Sequence, residues 1–135
     1  MVKKSNNYTR TLGRRKCSVT TLKLFKGKGE CLVNSEKVAE YFPGAINKLA
    51  YERPFVVTDT IGKFYYEAKS TGGGKAGQLL SITLAISRAL KSEDESTFAP
   101  LLRANNLLTV DSRVRQRRMV GTGGKARRQK QSPKR

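Results

Sequence analysis

A small α/β domain of the two-layer α+β kind, drawn out at its C-terminal end into a basic tail, is what this sequence predicts. Three observations carry that expectation. Segments that alternate apolar and polar residues with period two stand beside segments with helical period, so strands and helices are mixed within one short chain. The 135 residues make one domain with a tail. The charge is also divided unevenly: of 28 Lys/Arg and 10 Asp/Glu, giving a net +18, residues 1–28 hold nine cations and no acid, and residues 103–135 hold eleven cations and one acid, Asp111. The middle, residues 29–102, carries eight cations against nine acids and is composed like an ordinary globular domain.

Taken in order, "RKCSVTTLKLFKGKGECLVN" predicts two β-runs around a glycine turn, with Gly27 and Gly29 supplying the backbone freedom of a hairpin. In "SEKVAEYF", Ser35 is expected to cap a short helix that turns Val38, Ala39 and Phe42 inward, and Pro43-Gly44 stops it. "AINKLAYE" has a helical stripe of Ile46, Leu49 and Ala50, and Pro54 is expected to end it. A turn near Asp59 to Gly62 leads into a clear strand, where Phe64, Tyr66 and Ala68 alternate with Tyr65, Glu67 and Lys69. From Gly77 to Lys91, Leu79, Ile82, Ile86, Ala89 and Leu90 line one helical face, with Ser81, Ser87, Arg88 and Lys91 elsewhere. "SEDEST" is expected to be a polar loop, and "FAPLLRANNLL" a last short helix closed by its Asn pair.

Past Val110 the periodicity stops. Residues 115–135 hold nine Lys/Arg, no acid, and only Met119, Val120 and Ala126 as apolar groups. Such a segment does not bury enough surface to offset its ordering entropy, and by itself it is expected to be disordered. The organisation is therefore a basic N-terminal arm (1–12), a globular domain (13–114) and an extended basic tail (115–135).

Several function classes drop out. The chain has no His, which removes Ser-His and Cys-His nucleophile pairs, HExxH zinc sites and imidazole bases. Cys17 and Cys31 lie far from CxxC spacing and are expected to be reduced, small hydrophobes, with no metal site. No run approaches the roughly 18 apolar residues of a membrane span. The charged start has no apolar segment behind it and does not predict a secretory signal. No enzyme and no cofactor is expected.

The stretch "STGGGKAGQ" tests that last statement, because Gly72, Gly74 and Gly77 spell G-x-G-x-x-G. A dinucleotide site also needs an acid at the end of a following strand to hold the ribose. Glu93, Asp94 and Glu95 instead follow the helix directly, and no GxxxxGK[ST] loop is present. Two readings survive for Gly72, Gly73 and Gly74: a flexible strand-to-helix turn needing positive φ, or, with Lys75 beside them, a loop whose N–H groups hold a phosphate. The basic termini favour a phosphate of a nucleic-acid backbone.

Several pieces then resemble one family, small-subunit ribosomal protein nine in its bacterial and organellar form. They are "GRRK" at 13–16, "GKGE" at 27–30 with Val33-Asn34 after it, "EYF" at 40–42, "GGGKAGQ" at 72–78, "AISRAL" at 85–90, "LLTVDSRV" at 107–114 and "KARR" at 125–128, with Lys134-Arg135 at the end. The resemblance implies a mixed sheet of about four strands with helices packed mainly on one side. It also implies a left-handed βαβ crossover, as in the second domain of small-subunit protein five, against the usual hand. It implies a place in the head of the small subunit, against ribosomal RNA and neighbouring ribosomal proteins. The tail would run toward the peptidyl-site tRNA, with Lys134 and Arg135 nearest it. Ser132 and Pro133 stand where the family has an aromatic and a Ser, one extra residue lies between Gly121 and Lys125, and Ser35 replaces a turn glycine. These departures, with "EYFP", lean toward a plastid member over a bacterial cytoplasmic one.

The expected mechanism is scaffolding by charge, in which Lys and Arg neutralise crowded phosphates and release counterions. The residues expected to touch rRNA are Arg14, Arg15, Lys16, Lys75, Arg113, Arg117, Arg118, Lys125, Arg127 and Arg128. Base reading is not expected, since exposed aromatics are few. The rival readings are a histone-like DNA-compacting protein and a membrane-active cationic protein. The second needs large apolar groups opposite a basic helix face, and residues 115–135 have none.

Overall fold

The computed structural model describes residues 8–124, 126 and 127. Nine elements follow in order: β1 (Tyr8–Arg15), β2 (Ser18–Lys26), β3 (Leu32–Val33), β4 (Glu36–Lys37), α1 (Val38–Tyr41), α2 (Ala45–Val57), β5 (Phe64–Thr71), α3 (Lys75–Glu93) and α4 (Glu95–Ala104). The strands form one mixed five-stranded sheet in the order β1-β2-β5-β3-β4, so the α+β expectation holds with one strand more than expected.

The hairpin is not where the glycines suggested. β1 and β2 pair antiparallel from Tyr8↔Phe25 to Arg15↔Ser18, joined only by Lys16, at φ 53°, and Cys17. Tyr8 to Leu12, assigned by sequence to the arm, are the first five of this strand's 8 residues. β2 then has β1 on one edge and β5 on the other, so no edge remains for the segment after Gly29. Leu32–Val33 pairs instead with β5, in parallel, and the chain between those two strands runs through α1 and α2 as a βαβ crossover.

Ser35 also does something other than cap a helix. With Asn34 it makes the two-residue turn between β3 and β4, at φ 51° and 72°, a geometry in which both positions want Asn, Asp or Gly. Farther on, α2 continues through Pro54 to Val57. A proline there leaves the Ala50 carbonyl without its helical donor, and the Thr83 hydroxyl, 3.0 Å from the Leu79 carbonyl of its own helix, also lies 3.3 Å from that oxygen. The buried side of α2 is Tyr51, Pro54 and Phe55, while Ile46 and Leu49 of the expected stripe face solvent.

α3 is the keel. The expected stripe is buried, and so are Ser81 and Ser87, because α3 lies between the sheet and the helices α2 and α4. Leu22, Leu24, Val33 and Tyr66 from the sheet meet Ile82, Ile86 and Leu90 there, a packing in which truncating one aliphatic side chain costs about 2–5 kcal/mol. Toward the Lys16–Cys17 turn the interface changes to hydroxyls: Thr20 donates to Ser70 at 2.9 Å and is hydrogen-bonded to Ser81. Small groups let the layers close up. A Cβ on Gly13 would overlap the Ser81 carbonyl, so β1 rests on the backbone of α3. The "SEDEST" segment is no loop: Asp94 ends α3 and caps α4, accepting from the Thr97 amide at 3.2 Å.

Candidate nucleic-acid interface

The register puts three separate stretches at one end of the sheet. β1 ends at Arg15, β2 starts at Ser18 and β5 ends at Thr71, so the Arg14–Lys16 turn and the Gly72–Lys75 loop are neighbours. Their contact is intimate. The Gly72 carbonyl accepts from the Ser18 hydroxyl at 3.0 Å and from the Gln78 side-chain Nε2 at 3.2 Å. Gly72 and Gly73 both take positive φ, and a Cβ on Gly73 would strike the Ser18 hydroxyl. Close approach and left-handed backbone therefore account for these two glycines. Gly74 is different: it precedes α3 in extended backbone, nothing caps the helix through a side chain, and the space around its Cα is open. Lys75 does not extend outward. Its ammonium sits 3.1 Å from the Tyr41 ring centroid and donates to the Tyr41 carbonyl at 3.3 Å.

The third stretch is the exit of the domain. The chain after α4, through Asn106 and Asp111, forms one wall of a groove whose other wall is Arg14, Arg15, Leu80 and Leu84. Arg15 reaches across it: one guanidinium nitrogen lies 3.1 Å from an Asp111 carboxylate oxygen and another donates to the Arg113 carbonyl at 2.8 Å. Asp111 also accepts from the Arg113 side chain at 3.0 and 2.9 Å and from its amide at 3.0 Å. Those bonds, led by the side-chain pair to Arg113 and helped by the charge of Arg15, hold the Asp111 carboxyl well below the usual carboxylate range. The one acid of residues 103–135 thus pins the departing chain to β1.

The expected contacts therefore divide. Arg14 and Lys16 are exposed at the turn, and Arg113 keeps its side chain 87% exposed while sharing Asp111. Arg15, with 14% of its side chain exposed, is committed to the pin. Arg117, Arg118 and Arg127 are exposed beyond any helix or strand, and Lys125, Arg128, Lys134 and Arg135 lie outside the described residues. Sequence reasoning missed the structural use of cations elsewhere: Arg88 donates to the Leu12 carbonyl at 2.8 Å, and Lys26 pairs with Glu93 at 2.6 Å. The signal available for the pin was the isolation of Asp111 among cations.

Among the described residues no group of three or more His, Cys, Asp or Glu could hold a metal, and no helix is long and apolar enough to cross a membrane. Both cysteines are free. Cys17 is exposed in the hairpin turn, against expectation, and Cys31 is half-buried, which pushes its thiol up.

A two-layer basic domain that gathers exposed cations and a pinned exit at one end defines a class: a small, basic α+β protein with a cationic end. Comparison with known proteins narrows it. Residues 13–135 match the family described as ribosomal protein S9/S16. The chain is 41% identical over 131 residues to small ribosomal subunit protein uS9 of Malacoplasma penetrans, covering 97% of this chain and 99% of that one. It is 41% identical over 118 residues to uS9 of Gemmatimonas aurantiaca, covering 87% and 91% of the two chains. Against uS9 of Leifsonia xyli it is 38% identical over 124 residues, 92% of this chain and 73% of that one. The chain belongs to the ribosomal protein S9 family, whose members are structural proteins and not enzymes.

Proposed function

We propose that this chain is a structural constituent of the small ribosomal subunit, which binds small-subunit rRNA through the cationic end of its sheet and its tail. The observation that carries the reading is the family match from residue 13 to 135, which covers that end and the tail together. The physics supports it. Arg14, Lys16 and Arg113 stand exposed around one turn, and the chain leaves the domain from the same place toward a stretch with nine further cations and no acid. Phosphates crowded by RNA folding are neutralised by such a set, with release of counterions. Gly74 adds an uncapped helix N-terminus facing open space, the position expected of a phosphate loop.

Neighbouring ribosomal proteins of the head, and the peptidyl-site tRNA reached by Lys134 and Arg135, complete the proposal. Its compartment is the ribosome of a bacterial cytoplasm. The relatives above are bacterial, and the plastid preference finds no support among them.

The test is competition and salt. The chain should prefer a small-subunit rRNA transcript to duplex DNA, with log K falling against log salt at a slope of about −5 to −9 for six to ten neutralised phosphates. Deleting residues 115–135 should flatten the slope by several units. Equal preference for duplex DNA would favour the histone-like alternative. Removing Lys134 and Arg135 alone should speed tRNA dissociation from the peptidyl site and leave subunit assembly intact; impaired assembly with unchanged tRNA would make the tip rRNA scaffold.

A further inference from the structure

The helices cover one face of the sheet and leave the other open, and the register fixes what stands on the open side. Tyr8, Phe25 and Tyr65 form one row across β1, β2 and β5. The next is Arg10, Lys23 and Glu67, followed by Leu12, Thr21 and Lys69, and then Arg14, Val19 and Thr71. Rows on one face are two residues apart along each strand, about 7 Å. On these three strands four cations therefore share the face with one acid, across a patch about 20 Å long, and Lys37 of β4, in the Glu67 row, is paired with Glu30.

Two features mark these cations. Several other cations of the domain are engaged within the molecule: Arg15 with Asp111, Lys26 with Glu93, Arg88 with Leu12, Lys75 with Tyr41. Among the described residues, Arg10, Arg14, Lys23 and Lys69 make no ion pair, although Glu67 lies opposite Lys23. Second, the rings of the aromatic row are packed on one another. Phe25 stacks on Tyr65 with centroids 4.9 Å apart, and a Cβ on Gly29 would come within 2.6 Å of the Tyr65 ring, so Tyr65 lies between Phe25 and the Gly29 backbone. Tyr8 leans on Phe25 at 5.5 Å, and the Lys23 ammonium is 5.3 Å from the Tyr8 centroid. Stacking of bases uses open ring faces, and here the rings are spent largely on one another, as a wall at the edge of a charged patch.

We propose that the open face of the sheet is a second RNA-binding surface, in which Arg10, Arg14, Lys23 and Lys69 hold the phosphate backbone of small-subunit rRNA without reading its bases. Charge complementarity selects the occupant: four unpaired cations against one acid suit a dense polyanion. The face is continuous with the cationic end, since Arg14 belongs to the face and also lines the exit groove. The inference rests on the rRNA-binding reading above.

The experiment uses the full chain and a small-subunit rRNA transcript. Arg10→Gln, Lys23→Gln and Lys69→Gln together should reduce the salt slope by about two units, from 0.7–0.9 per phosphate contact. Lys48→Gln, Arg53→Gln and Lys91→Gln remove the same charge from the helical side and should change it by less than about one. In the unaltered chain, Lys23 and Lys69 should react with a lysine-acylating reagent when free and be protected by rRNA, while Lys48 stays reactive. This readout does not depend on the folding of any variant. Equal effects of the two triple variants, or unprotected Lys23 and Lys69, would overturn the inference. So would normal rRNA binding by the sheet variant with loss of incorporation into the subunit, which would make the occupant a protein. Absence of any steep salt dependence in the unaltered chain would instead remove the rRNA-binding reading itself.

Discussion

The hairpin end of the sheet and the outer side of α2 are both exposed, yet they are built on opposite plans. At the hairpin end, exposed arginines and lysines stand on backbone held by close contacts: Gly13 against Ser81, Gly73 against Ser18, Asp111 against Arg15. On α2 the outward residues include Ile46 and Leu49, with Lys48 and Glu52 roughly balanced at 3.9 Å. The first region fixes where positive charge stands. The second carries little net charge and few constraints. A chain with a net +18 is therefore no diffuse polycation: its globular part directs the excess to one end and one face.

This contrast is easiest to break at Gly13. Gly13→Ala places a methyl in the Ser81 carbonyl and should destabilise the domain by about 3 kcal/mol or more, because two backbones must part. Leu49→Ala, on the outer side of α2, should stay within about 0.5 kcal/mol. Urea midpoints at constant m-value measure both; similar losses would erase the distinction between the regions. A smaller effect is expected at the exit. Asp111→Asn removes the charge that holds Arg15 and Arg113, so amides from Leu107 to Arg113 should exchange faster while those of α3 do not change. The pH behaviour follows from the direction of the shift. A carboxyl depressed in the folded state stabilises above its unfolded value of about 3.9 and loses that contribution as pH falls through the folded value. The pin should therefore be as protective at pH 4.5 as at pH 7, after correction for intrinsic exchange. Loss of protection already between pH 6 and 5 would contradict it.

The two regions also differ in how much the sequence reveals. The α3 stripe and the alternation of β5 were legible because burial there is apolar and periodic. β1 was not, because its inner positions are Thr9, Thr11 and Gly13: Thr11 donates to the Ala85 carbonyl at 2.8 Å, Thr9 bonds to Glu93, and Gly13 has no side chain. A strand resting on helix backbone has no room for the large residues that announce strands. Pro54 misled for the opposite reason, since the polar group beside the carbonyl it frees belongs to Thr83, 29 residues away in sequence. The candidate contacts were legible as composition, but no pattern separated the exposed Arg14 from the committed Arg15. Only the position of Asp111 does that.

The smallest expected effect sharpens the picture of a domain carrying local strain away from its charged end. Ser35 holds φ 72° in the β3–β4 turn, so Ser35→Gly should raise stability by about 0.5–1 kcal/mol without altering rRNA affinity. A thermal melt of a few degrees' gain, with an unchanged salt slope, is the expected pair of results. A loss of stability would mean that the Ser side chain supports the turn.

The most direct measurement is sedimentation of the full chain with small ribosomal subunits through gradients of rising salt. Weak, exposed charge contacts dissociate under those conditions, whereas cations held in place by a fold and threaded into RNA persist. The chain should stay with the subunit at salt that strips loosely bound basic proteins, and removal of residues 115–135 should release it earlier. Release of the full chain at low salt, together with duplex DNA bound equally well, would rule out a cationic surface fitted to ribosomal RNA.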